Sequence, residues 1–302
     1  MNCQHPITIR NPSLKKFRRE FLESHGRHAT IEEEDKYLSI MGMERTMQVP
    51  CGKCIYCFQN RQDEWRTRLN IEMKYSFTAY FVTLTYAEEF CPYDVSKSDF
   101  QKFMKRLRSY MSIPLRYFAI SEYTPTGTQR PHFHFAVFFK TFVSLDELDV
   151  EVRKAWPLGF VTIGDLNDGR IDYMSTYCIK YFNKPPAGHK PNFMLSSRRP
   201  CIGAEYLTDE MRDYHHNTKN GFVILNGYKH KLPRILKEKI FDDEEKIELR
   251  EQAAEIVRLR DEKLKEKLKD FASPHEFYLA KTRQAQLDFK FAYNRYRESK
   301  KF

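Results

Sequence analysis

His132 and His134 stand two apart in an apolar run, HFHFAVFF. On a strand both imidazoles therefore project from one face. Imidazole nitrogens are common ligands of divalent metals, yet a His-x-His pair alone is weak evidence for a metal. Glu122 strengthens it. If 117–122 pairs with 132–139, its carboxylate ends one strand beside the start of the histidine strand. Glu122, His132 and His134 would then form a three-ligand site with open positions for a phosphate oxygen and water. The competing reading leaves Glu122 as a solvent-facing acid at a loop edge.

A second constellation follows. Tyr173, Tyr177 and Tyr181 are spaced by four and share one helix face, and Lys180 and Lys184 lie close to it. Ordinary core packing fits Tyr173. Lysines woven into the stripe argue against core at 177 and 181, because a buried unpaired ammonium is costly. A phenol ordinarily ionises near pH ~10, so it becomes a nucleophile at neutral pH only beside cations or a general base. Attack on a phosphate would give a phosphotyrosine that keeps the energy of the broken DNA bond, and the strand could be religated without ATP.

The third is C-x2-C-x2-C at Cys51, Cys54 and Cys57. Its first pair has zinc-knuckle spacing, and a structural zinc closes with four ligands. Cys3, His5, Cys91 and Cys201 are all candidates for the fourth. An iron–sulfur cluster accepts similar spacing, and unligated thiols are the plain alternative. Seven cysteines, an odd number with three in one cluster, argue against a disulfide-stapled secreted framework and for a reducing cytoplasm.

Elements must hold these groups. Tyr80–Tyr86, Tyr117–Glu122 and His132–Phe139 read as strands, with Phe160–Ile163 a fourth candidate. The second and third are predicted to form an antiparallel hairpin around Pro125 and Gly127. Phe100, Phe103, Met104 and Leu107 predict an amphipathic helix capped at Ser96 or Ser98, and Ser144 with Glu147 predicts a capping box. A helix over 171–183 carries the tyrosines and stops at Pro185-Pro186. From Asp242 to Asp270 charges of opposite sign recur three or four apart on a solvated helix, and a second aromatic helix follows from His275.

The 302 residues are 41% hydrophobic and 30% charged, a folded composition and not a disordered one. The longest uncharged run, Tyr75 to Ala87, is far short of the roughly 20 residues of a membrane span, and the first residues lack the apolar core of a secretory signal. Fifty-one Lys and Arg against 41 Asp and Glu give a net charge of +10, which suits a polyanionic partner. Residues 51–140 hold 13 basic and 8 acidic side chains, half of that excess. Arg61, Trp65, Arg66 and Arg68, after the cysteine cluster, could lie along a phosphate backbone or form a solvated face.

Three motifs carry a resemblance. TLTY at Thr83–Tyr86, RPHFHFAVF at Arg130–Phe138 and YCIKYFNK at Tyr177–Lys184 are similar, in order, to the motifs of HUH endonucleases, in particular the rolling-circle replication initiation proteins of gokushoviruses, single-stranded DNA phages of the Microviridae. PCGKCIYCFQNRQDEWRTRL at Pro50–Leu69 and SSRRPCIGAEYL at Ser196–Leu207 look like that family too, so the likeness covers roughly 47–210. Cys201 departs from it, standing where the flanking pattern would have Gly.

The resemblance implies an α+β fold: an HUH core with a central antiparallel, RRM-like sheet carrying the histidines, helices on one side and the tyrosine helix across the metal. An extension over 1–46 would precede a nuclease domain over 47–210, and a mostly helical, charged extension over 211–302 would follow. His132 and His134 would bind Mg2+ or Mn2+ with Glu122 as third ligand. Tyr177 and Tyr181 would be the paired nucleophiles, with Lys180 and Lys184 beside the scissile phosphate. Such proteins nick the origin of replicative-form DNA, stay attached to its 5′ phosphate and release a 3′-OH for rolling-circle synthesis. Viral DNA, host helicase and host polymerase would be the partners, in the bacterial cytoplasm and with no membrane. Two other readings compete: a non-enzymatic single-strand binder with a zinc knuckle, and a related transposase or relaxase.

Overall fold

The computed structural model describes residues 3, 5–11, 14–26, 30–40, 44–124, 129–180 and 185–267, together with 283, 284 and 287. The chain divides into two compact units, Met1–Phe58 and Gln59–Phe302.

In the first unit, β1 (Ile7–Arg10) leads into two helices, α1 (Leu14–His25) and α2 (Ile31–Ile40), before β2 (Thr46–Val49) returns antiparallel to β1. Thr30 and Glu33 form a reciprocal capping box at the start of α2, with Thr30 N–H donating to Glu33 Oε2 at 2.8 Å. Leu14, Phe21 and Leu38 are the buried apolar cluster of this unit among the described residues. After β2 the chain passes the cysteines and enters α3 (Ile55–Lys74), which continues into the second unit.

The second unit is built on a five-stranded antiparallel sheet. It comprises β3 (Thr78–Tyr86), β4 (Leu115–Tyr123), β5 (Pro131–Phe139), β6 (Gly159–Asp165) and β7 (Met194–Ser196), in the order β6-β3-β5-β4-β7. The alternation in β3 explains its two faces. Tyr80, Val82, Leu84 and Tyr86 are buried in the main core, while Thr83 and Thr85 face the other way. In β5, Phe133, Phe135, Val137 and Phe139 join that same core, leaving His132, His134, Ala136 and Phe138 on the opposite face.

Two helices cover the main core. α4 (Lys97–Tyr110) starts at Ser96, whose hydroxyl accepts the Asp99 N–H at 3.2 Å, and buries Phe100, Phe103, Met104 and Leu107. α5 (Leu145–Ala155) starts at Ser144, which caps the Glu147 N–H at 3.2 Å. The other face is covered by α6 (Asp168–Lys180) and by the part of α3 that carries Trp65, Leu69 and Met73. Helices therefore lie on both faces, as expected for a sheet with the tyrosine helix across the histidine side, and α3 joins the tyrosine helix on that side.

Beyond the sheet lie α7 (Asp209–Thr218), a hairpin of β8 (Phe222–Leu225) and β9 (Tyr228–Lys231), α8 (Arg234–Ile240) and the charged α9 (Asp243–Lys267). Asn226 and Gly227 turn the hairpin at φ of 50° and 80°, the positive values that a two-residue hairpin turn requires. Ile256 and Leu259 of α9 are exposed, as the solvated-helix reading expects. The aromatic helix expected from His275 and the loop holding Pro125 and Gly127 lie outside the described residues. Among the described residues no helix is long and apolar enough to cross a membrane.

Candidate metal centre and tyrosine helix

Strand register brings the three candidate ligands together. Glu122 of β4 sits directly opposite His132 of β5, and on the other side of β5 Thr85 is opposite His132 and Thr83 is opposite His134. Opposed residues share a face, so carboxylate, imidazoles and threonines converge. The Nε2 atoms of His132 and His134 each lie 3.5 Å from Glu122 Oε2. One ligand atom from each of the three falls within 4.8 Å of the others. Glu122 and His132 are buried, so the solvent-facing alternative for Glu122 is excluded.

The outward nitrogens decide which tautomers suit a metal. His132 Nδ1 lies 3.3 Å from the Arg130 carbonyl, which can only accept, so Nδ1 carries the proton. His134 Nδ1 lies 2.9 Å from the Thr83 hydroxyl, which can accept in the same way. With Nδ1 as the donor in each ring, the Nε2 lone pairs face Glu122, the orientation that outer partners of metal-bound histidines impose. Phe81 stacks on the His134 ring, with centroids 5.4 Å apart and planes 21° from parallel, and restricts its rotation. Two imidazoles and a carboxylate thus fit a divalent cation by donor type and by spacing.

α6 brings its tyrosines onto this centre. Asn167 caps the helix by accepting the Arg170 N–H at 3.0 Å. Two turns on, the Tyr173 hydroxyl donates to Glu122 Oε2 at 2.8 Å and lies 3.3 Å from His134 Nε2. The Tyr177 hydroxyl is 2.6 Å from that of Tyr173. With the Tyr173 proton directed at the carboxylate, Tyr177 is the donor of this pair. A chain of hydrogen bonds therefore runs from Tyr177 through Tyr173 to Glu122.

Two expectations change here. Tyr173, expected to be plain core, has its hydroxyl against two of the three candidate ligands. Tyr177, expected outside the core, has its ring buried among Phe118, Ile120, Ala136, Phe138 and Met174 and only its hydroxyl turned to the centre. Lys180 is the last residue of α6, but its side chain, and Tyr181 and Lys184 entirely, lie outside the described residues.

Two arginines of α3, Arg66 and Arg68, are tied into the fold. Arg66 Nε pairs with Asp172 Oδ1 of α6 at 2.6 Å. Arg68 is buried, donates to the Ile202 carbonyl at 3.0 Å and lies 3.9 Å from the centre of the Trp65 ring. Glu72 on the same helix is fully buried. It pairs with Arg116 of β4 and accepts the Gly203 N–H at 2.6 Å, while Arg116 also donates to the Cys201 carbonyl at 2.7 Å. Gly203, at a φ of 84°, packs against the Arg68 backbone. Cys201 is buried and has no positive φ, so its backbone does not demand the glycine expected there.

In the first unit Cys51, Cys54 and Cys57 gather with Cys3, their sulfurs all within 4.8 Å of one another. Cys91 and Cys201, also weighed as a fourth ligand, belong to the second unit, and the exposed His5 is not in the group.

Residues 79–185 match the family model described as replication-associated protein ORF2. That stretch contains Glu122, His132, His134, Tyr173 and Tyr177. The chain is 29% identical over 207 residues to the replication-associated protein ORF2 of Spiroplasma virus 4, covering 60% of this chain and 61% of that protein. It is 24% identical over 235 residues to the replication-associated protein ORF4 of Chlamydia phage 1, covering 67% and 57%. Replication-associated protein VP4 of Bdellovibrio phage phiMH2K is 27% identical over 259 residues, covering 74% and 78%. The chain thus spans about three fifths of the first two relatives. A solved structure, the hypothetical protein ORF119 of Sulfolobus islandicus rod-shaped virus 1, aligns over 38% of this chain and 90% of its own at 20% identity, with a TM-score of 0.27, too weak a likeness to bear on the fold. Over the part that holds the candidate centre, the chain is similar to the replication-associated proteins of phages of the Microviridae type.

Proposed function

We propose that this protein is a phage replication initiator that nicks the origin of replicative-form DNA through a phosphotyrosine, on an HUH-type core. The observation that carries the reading is the convergence of Glu122, His132 and His134 with the hydroxyl of Tyr177, one tyrosine removed. Its relatives are replication-associated proteins, and the family match spans these residues.

Glu122, His132 and His134 would hold the cation, which would supply Lewis acidity toward the scissile phosphate when bound. Imidazole donors disfavour Mg2+, which prefers oxygen ligands and keeps its waters, so Mn2+ is the tighter ligand of this set. The Tyr177 oxygen attacks the scissile phosphorus. The P–O3′ bond breaks, the tyrosine loses its proton and the departing 3′ oxygen gains one. The 5′ phosphate stays on the protein as a diester and the 3′-OH primes synthesis. Lys180, one turn after Tyr177 at the end of α6, supplies positive charge for the phosphate, as does Lys184. Of the pair Tyr177 and Tyr181, one tyrosine holds the displaced strand while the other cuts the regenerated origin. Viral DNA is the substrate; host helicase unwinds the nicked duplex and host polymerase extends the exposed 3′ end in the bacterial cytoplasm.

The test is incubation of the purified protein with Mn2+ and an origin oligonucleotide, followed by a denaturing gel. A covalent adduct is expected, lost in the Tyr177→Phe/Tyr181→Phe double variant. An adduct that persists in that variant overturns the tyrosine mechanism, and metal-independent binding without cleavage supports the single-strand binder instead.

A further inference from the structure

We propose that Cys3, Cys51, Cys54 and Cys57 form a closed tetrathiolate zinc site, with Cys3 as the fourth ligand, that staples the first unit together. The geometry is that of one small ion. A tetrahedral zinc with Zn–S bonds of about 2.3 Å sets its sulfurs about 3.8 Å apart. Cys54 to Cys57 is 3.5 Å, Cys54 to Cys3 is 3.8 Å and Cys51 to Cys57 is 3.9 Å. All four are free thiols and not disulfides. An iron–sulfur cluster divides its four thiolates among two or more irons, so the full set would not lie this close together.

The backbone around the sulfurs is arranged for anions. Cys51 N–H points at Cys3 Sγ at 3.2 Å, and the N–H groups of Lys53 and Cys54 point at Cys51 Sγ at 3.4 and 3.3 Å. Four thiolates on a divalent ion leave a net double negative charge, and amide donors disperse it. Gly52, at a φ of 72°, makes the reversal between Cys51 and Cys54, a conformation glycine adopts without strain. Cys57 then follows in the first turn of α3.

The unit also needs such a staple. Its buried apolar cluster among the described residues is Leu14, Phe21 and Leu38, against a two-stranded sheet and two short helices. A core of that size rarely sustains a fold of under about 70 residues without a metal or a disulfide. The ion joins residue 3, the turn at 51–54 and the root of α3, so the segment carrying β1, α1, α2 and β2 becomes a closed loop. This assignment is independent of the nuclease reading, because it uses none of Glu122, His132, His134 or Tyr177.

The full-length protein, purified without chelator, is expected to carry one zinc per chain by elemental analysis. A Glu122→Ala/His132→Ala/His134→Ala variant should keep it. Replacement by Co2+ should give the charge-transfer absorption and tetrahedral d–d bands of a thiolate site, which the Glu–His centre cannot produce. Cys3→Ser should weaken zinc retention against a competing chelator by more than the roughly 100-fold seen on removing outer-shell partners, and Cys3→His should recover most of it. Cys91→Ser and Cys201→Ser should retain zinc as the wild type does. Cys3→Ser with unchanged retention overturns the assignment of Cys3. A wild-type protein without zinc, or one carrying iron there, overturns the site.

Discussion

The two candidate metal centres differ in how their ligands are held and in what they leave open. Glu122, His132 and His134 sit on two neighbouring strands of a five-stranded sheet, so register alone sets their spacing. The cysteines sit on a chain end, a glycine turn and the start of a helix. Three ligands leave coordination positions free for substrate, whereas four thiolates close the sphere. The strand-borne set is rigid before any ion arrives. On the zinc assignment, an ion staples the loop-borne set together. The first suits chemistry and the second suits folding.

The largest expected effect follows from breaking the open centre. Glu122→Ala should lower single-turnover nicking about 10³-fold, the several kcal/mol that a Lewis acid supplies, with zinc content unchanged. Loss of zinc in the same variant would show that the two centres are not separate. Stability can be disturbed without touching either set. Glu72→Ala leaves the Arg116 guanidinium, only 13% exposed, without its carboxylate, and should cost about 3–5 kcal/mol in urea unfolding. Metal binding by the folded fraction should be preserved.

Finer cuts sharpen the contrast. Tyr173→Phe keeps the ring but deletes the hydroxyl joining Glu122 to Tyr177. Nicking should fall about 10- to 100-fold, in the range for partners of metal ligands, with little change in thermal unfolding. Nicking within twofold of wild type would return Tyr173 to the role of plain core. Thr83→Val removes the partner of His134 Nδ1 and should weaken Mn2+ binding about tenfold by calorimetry. Zinc content again serves as the control.

Much of this was legible where the signal is local. His-x-His shows its shared face on any strand, and Glu122 joins it as soon as β4 and β5 pair as a hairpin. Ser96 and Ser144 mark their helix starts because a cap is a four-residue pattern. Cys3 was one of several candidates because it lies 48 residues before Cys51, where spacing says nothing of distance in space. Tyr173 was misread for a different reason: residues four apart share a face, and that periodicity cannot say which end of a ring meets the core. Arg66 and Arg68 look like a basic surface until Asp172 and the Ile202 carbonyl arrive from more than 100 residues away. β7, three residues long, has no period to read. The β8–β9 hairpin has a local signal in Asn226-Gly227 between short apolar-containing runs, which the charged, helix-like residues after it outweigh.

β5 interleaves ligands and core residue by residue. One residue inserted or deleted between His132 and Phe139 would put the two ends of the strand out of phase, so that imidazoles and phenylalanines could no longer all keep their own sides of the sheet. Most substitutions along it damage one property. A length change would damage both at once. Related proteins that keep this chemistry should therefore differ freely in the length of the β4–β5 connection, while gaps inside β5 should be purged. Comparing insertions across relatives, and not only identities, would reveal that asymmetry.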